Sequence, residues 1–154
     1  MDSTAILPTL ALALVMGGAA RAADLSGPAQ AVDGGSIEIA GTLVRLHGVD
    51  APPPGQRCMR AGGAYDCAQE AGWALAERLG RHWVRCVERA QDARGRIVAA
   101  CYIGADLDVN AYMVQSGWAL ARRDEAPDYG PLEDAARAAR RGLWQGGHDP
   151  RTRP

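Results

Sequence analysis

The sequence predicts an α+β domain of five strands with three helices packed on them, and three observations carry that expectation. Two pairs of strand-like segments flank tight turns at Ala40-Gly41 and at Ala93-Arg94. The segment from Cys67 to Arg81 sets Ala71, Leu75 and Leu79 at helical spacing. A length of 154 residues supplies one compact core and not two. The order strand, strand, strand, helix, strand, strand, helix, helix suits a closed barrel, although pattern alone leaves several α+β folds open.

Each element has a local reason. Residues 1–22 contain the apolar run Ala5 to Met16 and end in Ala20-Arg21-Ala22, a small-x-small site, so they read as a signal peptide cleaved after Ala22. Asp2 and the absence of a basic residue near the start depart from that pattern. Roughly twelve apolar residues are too few to span a bilayer, so no membrane span is expected in the mature chain.

The first strand is expected at Pro28–Val32, followed by 36–39 and 42–49 around Ala40-Gly41. Hairpin counting sets Ser36 against Arg45. The run Pro52-Pro53-Pro54-Gly55 ends any strand, because proline donates nothing to a ladder and restricts its neighbour.

A helix over 67–80 precedes a hairpin of 82–89 with 96–103. Asp106 to Asn110 offers an N-cap for a short helix that Gly117 stops. The last helix starts at Pro131 and stops at Gly142. Residues 146–154 are polar and expected to fray. Trp73, Trp83, Trp118 and Trp144 are expected in the core.

All 17 basic groups are Arg, opposed by 18 acids, for a net charge of −1. The chain as a whole is therefore no polycation, and any phosphate site must be local. The four cysteines, Cys58, Cys67, Cys86 and Cys101, form an even set that, with the signal peptide, points to an oxidising periplasmic or secreted location. The second hairpin places Cys86 opposite Cys101, which leaves Cys58 for Cys67 across a short Gly-rich loop. A zinc site is the alternative, but neither CxxC spacing nor a His pair supports it.

The stretch Val32-Asp33-Gly34-Gly35-Ser36, then Arg45-Leu46-His47-Gly48-Val49-Asp50-Ala51-Pro52-Pro53, then Asp92-Ala93-Arg94-Gly95-Arg96 resembles the active-site frame of the staphylococcal nuclease (thermonuclease) family. That frame reads DGDT, RLxGIDxPE and DxxGR. The resemblance covers roughly residues 27–145, including Gly117-Trp118-Ala119 and Gly142-Leu143-Trp144. It implies an OB-fold five-stranded β-barrel with three packed helices. It also implies a calcium-dependent phosphodiesterase site, in which two aspartates hold the metal, a glutamate serves as base or orients water, and two arginines clamp the phosphate.

Carried over position by position, Arg45 and Arg96 match the clamp arginines and Asp50 matches one metal aspartate. Gly35 stands where the other belongs, and Pro53 replaces the glutamate. Ala51 replaces a Thr that contributes its backbone carbonyl, so that ligand is kept. Asp33 is an acidic neighbour that could reach a cation with Asp50. His47, two residues after Arg45 on the same strand face, is the one replacement base nearby. His47, Arg94 and Arg123 are candidate substrate contacts, although a solvated charge run explains Arg94, Arg122 and Arg123 as well.

Three functional expectations follow from the resemblance and its departures. The first is an exported pseudoenzyme that keeps the arginine clamp, has little or no nuclease activity, and binds single-stranded nucleic acid or another anionic polymer. The second is a weakened Ca2+-dependent endonuclease of DNA or RNA. The third, from the naming of some exported members of the superfamily, is an accessory role in exopolysaccharide production of the succinoglycan type.

Overall fold

A computed structural model of the chain describes Met1, residues 24–147 and residues 149–151. The expected signal peptide lies outside the described residues, apart from Met1. Strands β1 (Asp24–Ala31), β2 (Ser36–Ile39) and β3 (Thr42–Leu46) form a meander. Two-residue β4 (Val49–Asp50) and the small hairpin β5 (Cys58–Arg60) with β6 (Gly63–Tyr65) lead into helix α1 (Cys67–Leu79). The long hairpin of β7 (Trp83–Gln91) and β8 (Ile97–Ile103) follows, then β9 (Leu107–Asp108), α2 (Val109–Gln115), β10 (Leu120–Ala121) and α3 (Gly130–Ala138).

Five strands run β3-β2-β1-β7-β8, and parallel pairing of β3 with β8 closes them into a barrel. With α1, α2 and α3 packed about it, this is the OB-type α+β architecture that the resemblance implies.

Strand alternation fills the barrel. Ile37, Ile39, Val44, Leu46, Val84 and Cys86 point inward and are fully buried, each worth about 1.5–3 kcal/mol for a full-sized aliphatic chain. Leu75 and Leu79 of α1 and Val109, Met113 and Val114 of α2 pack into the same core. Asp66 caps α1 by accepting from the Gln69 N–H at 2.9 Å, and Asp108 caps α2 by accepting from the Ala111 N–H at 2.9 Å. Asn110, wholly buried, spends its amide on the carbonyls of His47 and Ala99 and its oxygen on the Cys101 N–H, tying α2 to β8.

Both disulfides pair as expected, Cys58 with Cys67 and Cys86 with Cys101. The first sits in a smaller cluster with Tyr65, Leu120, Ala136, Leu143 and Trp144, which joins the β5–β6 hairpin to the C-terminal segment. There Gly117 and Gly142, at φ +82° and +52°, approach so closely that a Cβ on Gly142 would lie 2.5 Å from the Gly117 backbone. No helix among the described residues is long and apolar enough to cross a membrane.

Several expectations need correction. The strand expected over 42–49 breaks at His47-Gly48, because Gly48 takes φ +74°, and Val49–Asp50 pairs instead with Leu120–Ala121. β1 begins at Asp24, four residues before Pro28, since β7 supplies a partner for that stretch. The last helix ends at Ala138, where Arg140 adopts φ +52° and a 3-10 turn over Gly142–Gly146 takes over. Trp73 and Trp83 are 62% and 66% exposed: the α1 period turns Ala71 and Leu75 inward and Trp73 out, and Val84 inward leaves Trp83 out. Trp144 is buried and Trp118 half-buried.

Candidate functional site

Arg45 stands on β3 between buried Val44 and Leu46, so its side chain leaves the barrel. Its Nη2 donates to Glu125 Oε1 at 2.6 Å, and Glu125 Oε2 accepts from the Gly48 N–H at 2.9 Å. Arg122 Nη1 lies 3.7 Å from the same carboxylate. Burial alone would raise the Glu125 pKa, but the Arg45 and Gly48 hydrogen bonds and the two positive charges outweigh it and hold the carboxyl below its usual range. Gly48 makes this possible, because a Cβ there would meet Ala126 Cβ at 2.5 Å and the Tyr129 ring at 2.9 Å.

The second arginine sits at the far end of the β7–β8 turn. Asp92 opens that turn by accepting from the N–H groups of Arg94 at 2.9 Å and Arg96 at 3.0 Å, and its other oxygen accepts from Arg96 Nε at 2.6 Å. Burial opposes ionisation of Asp92, yet these donors together lower its pKa. Arg45 and Arg96 therefore each carry an internal carboxylate partner.

Arg45, His47, Asp92, Arg96, Arg122 and Glu125 line one open cleft of about 410 Å³. Arg45, Arg96 and His47 converge there, joined by Arg122. Burial holds the His47 pKa below 6.5, with Arg89 and Arg45 acting the same way and Glu125 and Asp108 opposing. The lowered pKa of His47 favours the neutral imidazole, which can accept a proton or a hydrogen bond.

The acid loop lies between β1 and β2. Asp33 Oδ1 accepts from the Gly35 N–H at 2.8 Å, and the Gly35 carbonyl accepts from the Leu46 N–H at 2.8 Å, which ties the loop to the strand that carries Arg45. A Cβ on Gly35 would sit 3.2 Å from Ala51 Cβ and 3.8 Å from Asp33 Oδ1. The loop therefore faces the Asp50-Ala51 segment, where Asp50 is exposed on β4 and Pro53 is exposed beyond buried Pro52. Asp50, Ala51 and Pro53 line a separate depression with Arg151. Two carboxylates and one carbonyl fall short of the six to eight oxygens that calcium takes, so waters or a ligand's own oxygens would have to complete any such shell. Among the described residues, no three His, Cys, Asp or Glu side chains gather to hold a metal ion.

The remaining candidates lie apart from the arginine cleft. Arg94 is exposed at the turn, and Arg123 reaches Glu133 at 3.0 Å and Asp134 at 2.6 Å on α3. Within the segment expected to fray, Arg151 also pairs with Glu133. Sequence reasoning missed Glu125, 80 residues from Arg45, and nothing local signals it. Sequence reasoning gave Asp92 no role of its own, although an Asp opening Asp-Ala-Arg-Gly is a turn-forming pattern that signals it.

Comparison with known proteins agrees with this fold. Residues 43–146 match the family model described as staphylococcal nuclease homologue. The chain is 35% identical over 147 residues to the succinoglycan biosynthesis protein ExoI of Rhizobium meliloti (strain 1021), covering 93% of this chain and 77% of that protein.

Proposed function

We infer that this chain, which belongs to the family of staphylococcal nuclease homologues, is an exported anion-binding module with little or no nuclease turnover. Its ligand is a phosphodiester or another anionic polymer. One observation carries the reading: Arg45, Arg96 and Arg122 converge on a single cleft, while the two positions that would bear the acids hold Gly35 and Pro53. Guanidinium forks suit phosphoryl oxygens, and each can exchange its internal carboxylate for a ligand oxygen. Proline can neither accept a proton nor orient a water, and losing a key catalytic group costs orders of magnitude in rate. The two disulfides support export. The succinoglycan role in the relative's name is compatible with an accessory part in exopolysaccharide production here.

The test is to incubate residues 23–154 with single-stranded DNA and RNA in calcium and in chelator. Retained oligonucleotide binding without cleavage, and loss of binding in Arg45→Ala and Arg96→Ala, are the expected results. Chelator-sensitive cleavage would overturn the reading in favour of a weakened calcium-dependent endonuclease. That second reading draws support from the approach of Gly35 to Ala51, which sets the acid loop beside the Asp50-Ala51 segment. Calcium, when bound there, would neutralise charge on the phosphoryl oxygens. Asp33, Asp50 and the Ala51 carbonyl would hold it, and Arg45 and Arg96 would position the phosphate.

A further inference from the structure

A second cleft, of about 320 Å³, opens between the acid loop and α1. We propose that it binds neutral hexose units of a glycan chain, with the exposed indole of Trp73 as its stacking surface. Of the five α1 residues that line it, Gln69, Gly72, Trp73 and Ala76 fall at i, i+3, i+4 and i+7, with Ala68 beside Gln69. They form one stripe of the helix, distinct from the core stripe of Ala71, Leu75 and Leu79. Ala68, Gly72 and Ala76 are small, so the floor is low and the indole stands as a wall. Val32, 57% exposed, and exposed Pro54 supply apolar surface around it.

Trp73, Val32 and Pro54 group their exposed apolar surface within one polar-edged concavity, which is the composition of a ligand site. The electron-rich face of an indole attracts the polarised C–H groups on the apolar face of a hexose. The polar groups of the cleft are Asp33, Asp66 and Gln69, with no Arg or His among its lining residues. Each aspartate spends Oδ1 on a backbone N–H, of Gly35 and of Gln69 respectively, leaving Oδ2 for an incoming donor. Such a set accepts hydrogen bonds from hydroxyl groups and repels anions. It is the chemical opposite of the arginine cleft, so the proposal stands independently of the anion-binding reading.

A path for a longer chain is also present. The exposed residues Pro28 and Gln30 of β1 lead toward Val32, and Trp83 pairs directly with Pro28. Trp83 and the cleft are separated by four residues of extended chain, about 13 Å. The second exposed indole lies where further sugar units would pass.

The experiment is a titration of residues 23–154 with cellotetraose, laminaritetraose, mannotetraose and tetragalacturonate, followed by the tryptophan indole resonances. A neutral tetrasaccharide should shift the Trp73 signal, and Trp73→Ala should weaken its binding by about ten-fold or more. Gln69→Ala should weaken it severalfold, tetragalacturonate should bind far less, and Arg45→Ala should leave sugar binding unchanged. Circular dichroism of Trp73→Ala should match the parent, since the side chain is exposed. Absence of a Trp73 shift with every neutral tetrasaccharide, or undiminished binding in Trp73→Ala, would overturn the proposal. Loss of oligonucleotide binding in Arg45→Ala reports on the other cleft alone.

Discussion

Arg45 and Glu125, 80 residues apart in the chain, meet at 2.6 Å on the wall of the arginine cleft. The contact neutralises the guanidinium that would otherwise face an incoming phosphate. Removing it should therefore pull affinity and stability in opposite directions. Glu125→Gln is expected to tighten binding of a single-stranded oligonucleotide several-fold, with a steeper salt dependence. It is also expected to destabilise the fold by about 1–3 kcal/mol at pH 7, because two charge-assisted hydrogen bonds are weakened. Filter binding at two salt concentrations and urea unfolding check the two halves.

The pH dependence of that pair has a definite sign. The folded pKa of Glu125 lies below its ordinary 4.5, so its contribution is complete above 4.5 and is lost as pH falls through the lowered folded value. Unfolding titrations should show the gap between the parent and Glu125→Gln closing below pH 4.5. A gap that persists at pH 2 would show that charge is not its source.

His47 offers a spectroscopic reading of the same cleft. Burial lowers its pKa from 6.5 and the Glu125 charge partly restores it, so Glu125→Gln should lower the titration midpoint further. Imidazole proton shifts across pH 4–8 measure this directly. A midpoint that rises in the variant would contradict the assigned geometry.

The disulfide between Cys86 and Cys101 closes a short loop across β7 and β8, with both sulfurs in the barrel core. Replacing both cysteines with serine should cost about 3 kcal/mol from loop entropy, and more from burying hydroxyls without partners. Thermal unfolding of the variant, beside the reduced parent, checks it.

Restoring the acids should show whether the scaffold can still support cleavage. A Cβ on Gly35 meets Ala51 Cβ at 3.2 Å, a contact that a few tenths of an ångström of movement relieves, and Pro53 is exposed. The double variant Gly35→Asp/Pro53→Glu is expected to fold and to gain chelator-sensitive cleavage of single-stranded DNA at least about ten-fold above the parent. Folding without any gain would show that more than these two positions separates the parent from an active nuclease.

Gly48 is the position where backbone freedom matters most to the cleft. Gly48→Ala combines φ +74° with a Cβ 2.5 Å from Ala126, so it should cost about 2 kcal/mol or more and loosen Glu125 from Arg45. Urea unfolding, with the His47 titration as a local probe, tests both effects.

The pairing of Ser36 with Arg45 and of Cys86 with Cys101, and the start of α1, were legible in local pattern, whereas the barrel was legible only through the spaced motifs that carry the family resemblance. Hairpin register and helical period are local rules, set by neighbours within a few residues. The sequence also exposed Gly35 and Pro53, because they depart from a spaced motif. What it could not show was where unlike segments meet. Glu125 lay in an Arg-Arg-Asp-Glu run that reads as a solvated face, and only the turn at Gly48 and the pairing of β4 with β10 carry it to Arg45. Trp73 and Trp83 read as core by residue type, yet the inward faces of α1 and β7 were already filled by Leu75 and Val84. Tertiary structure made both decisions, since a closed barrel has room for one face of each element and leaves the other to water and to ligands.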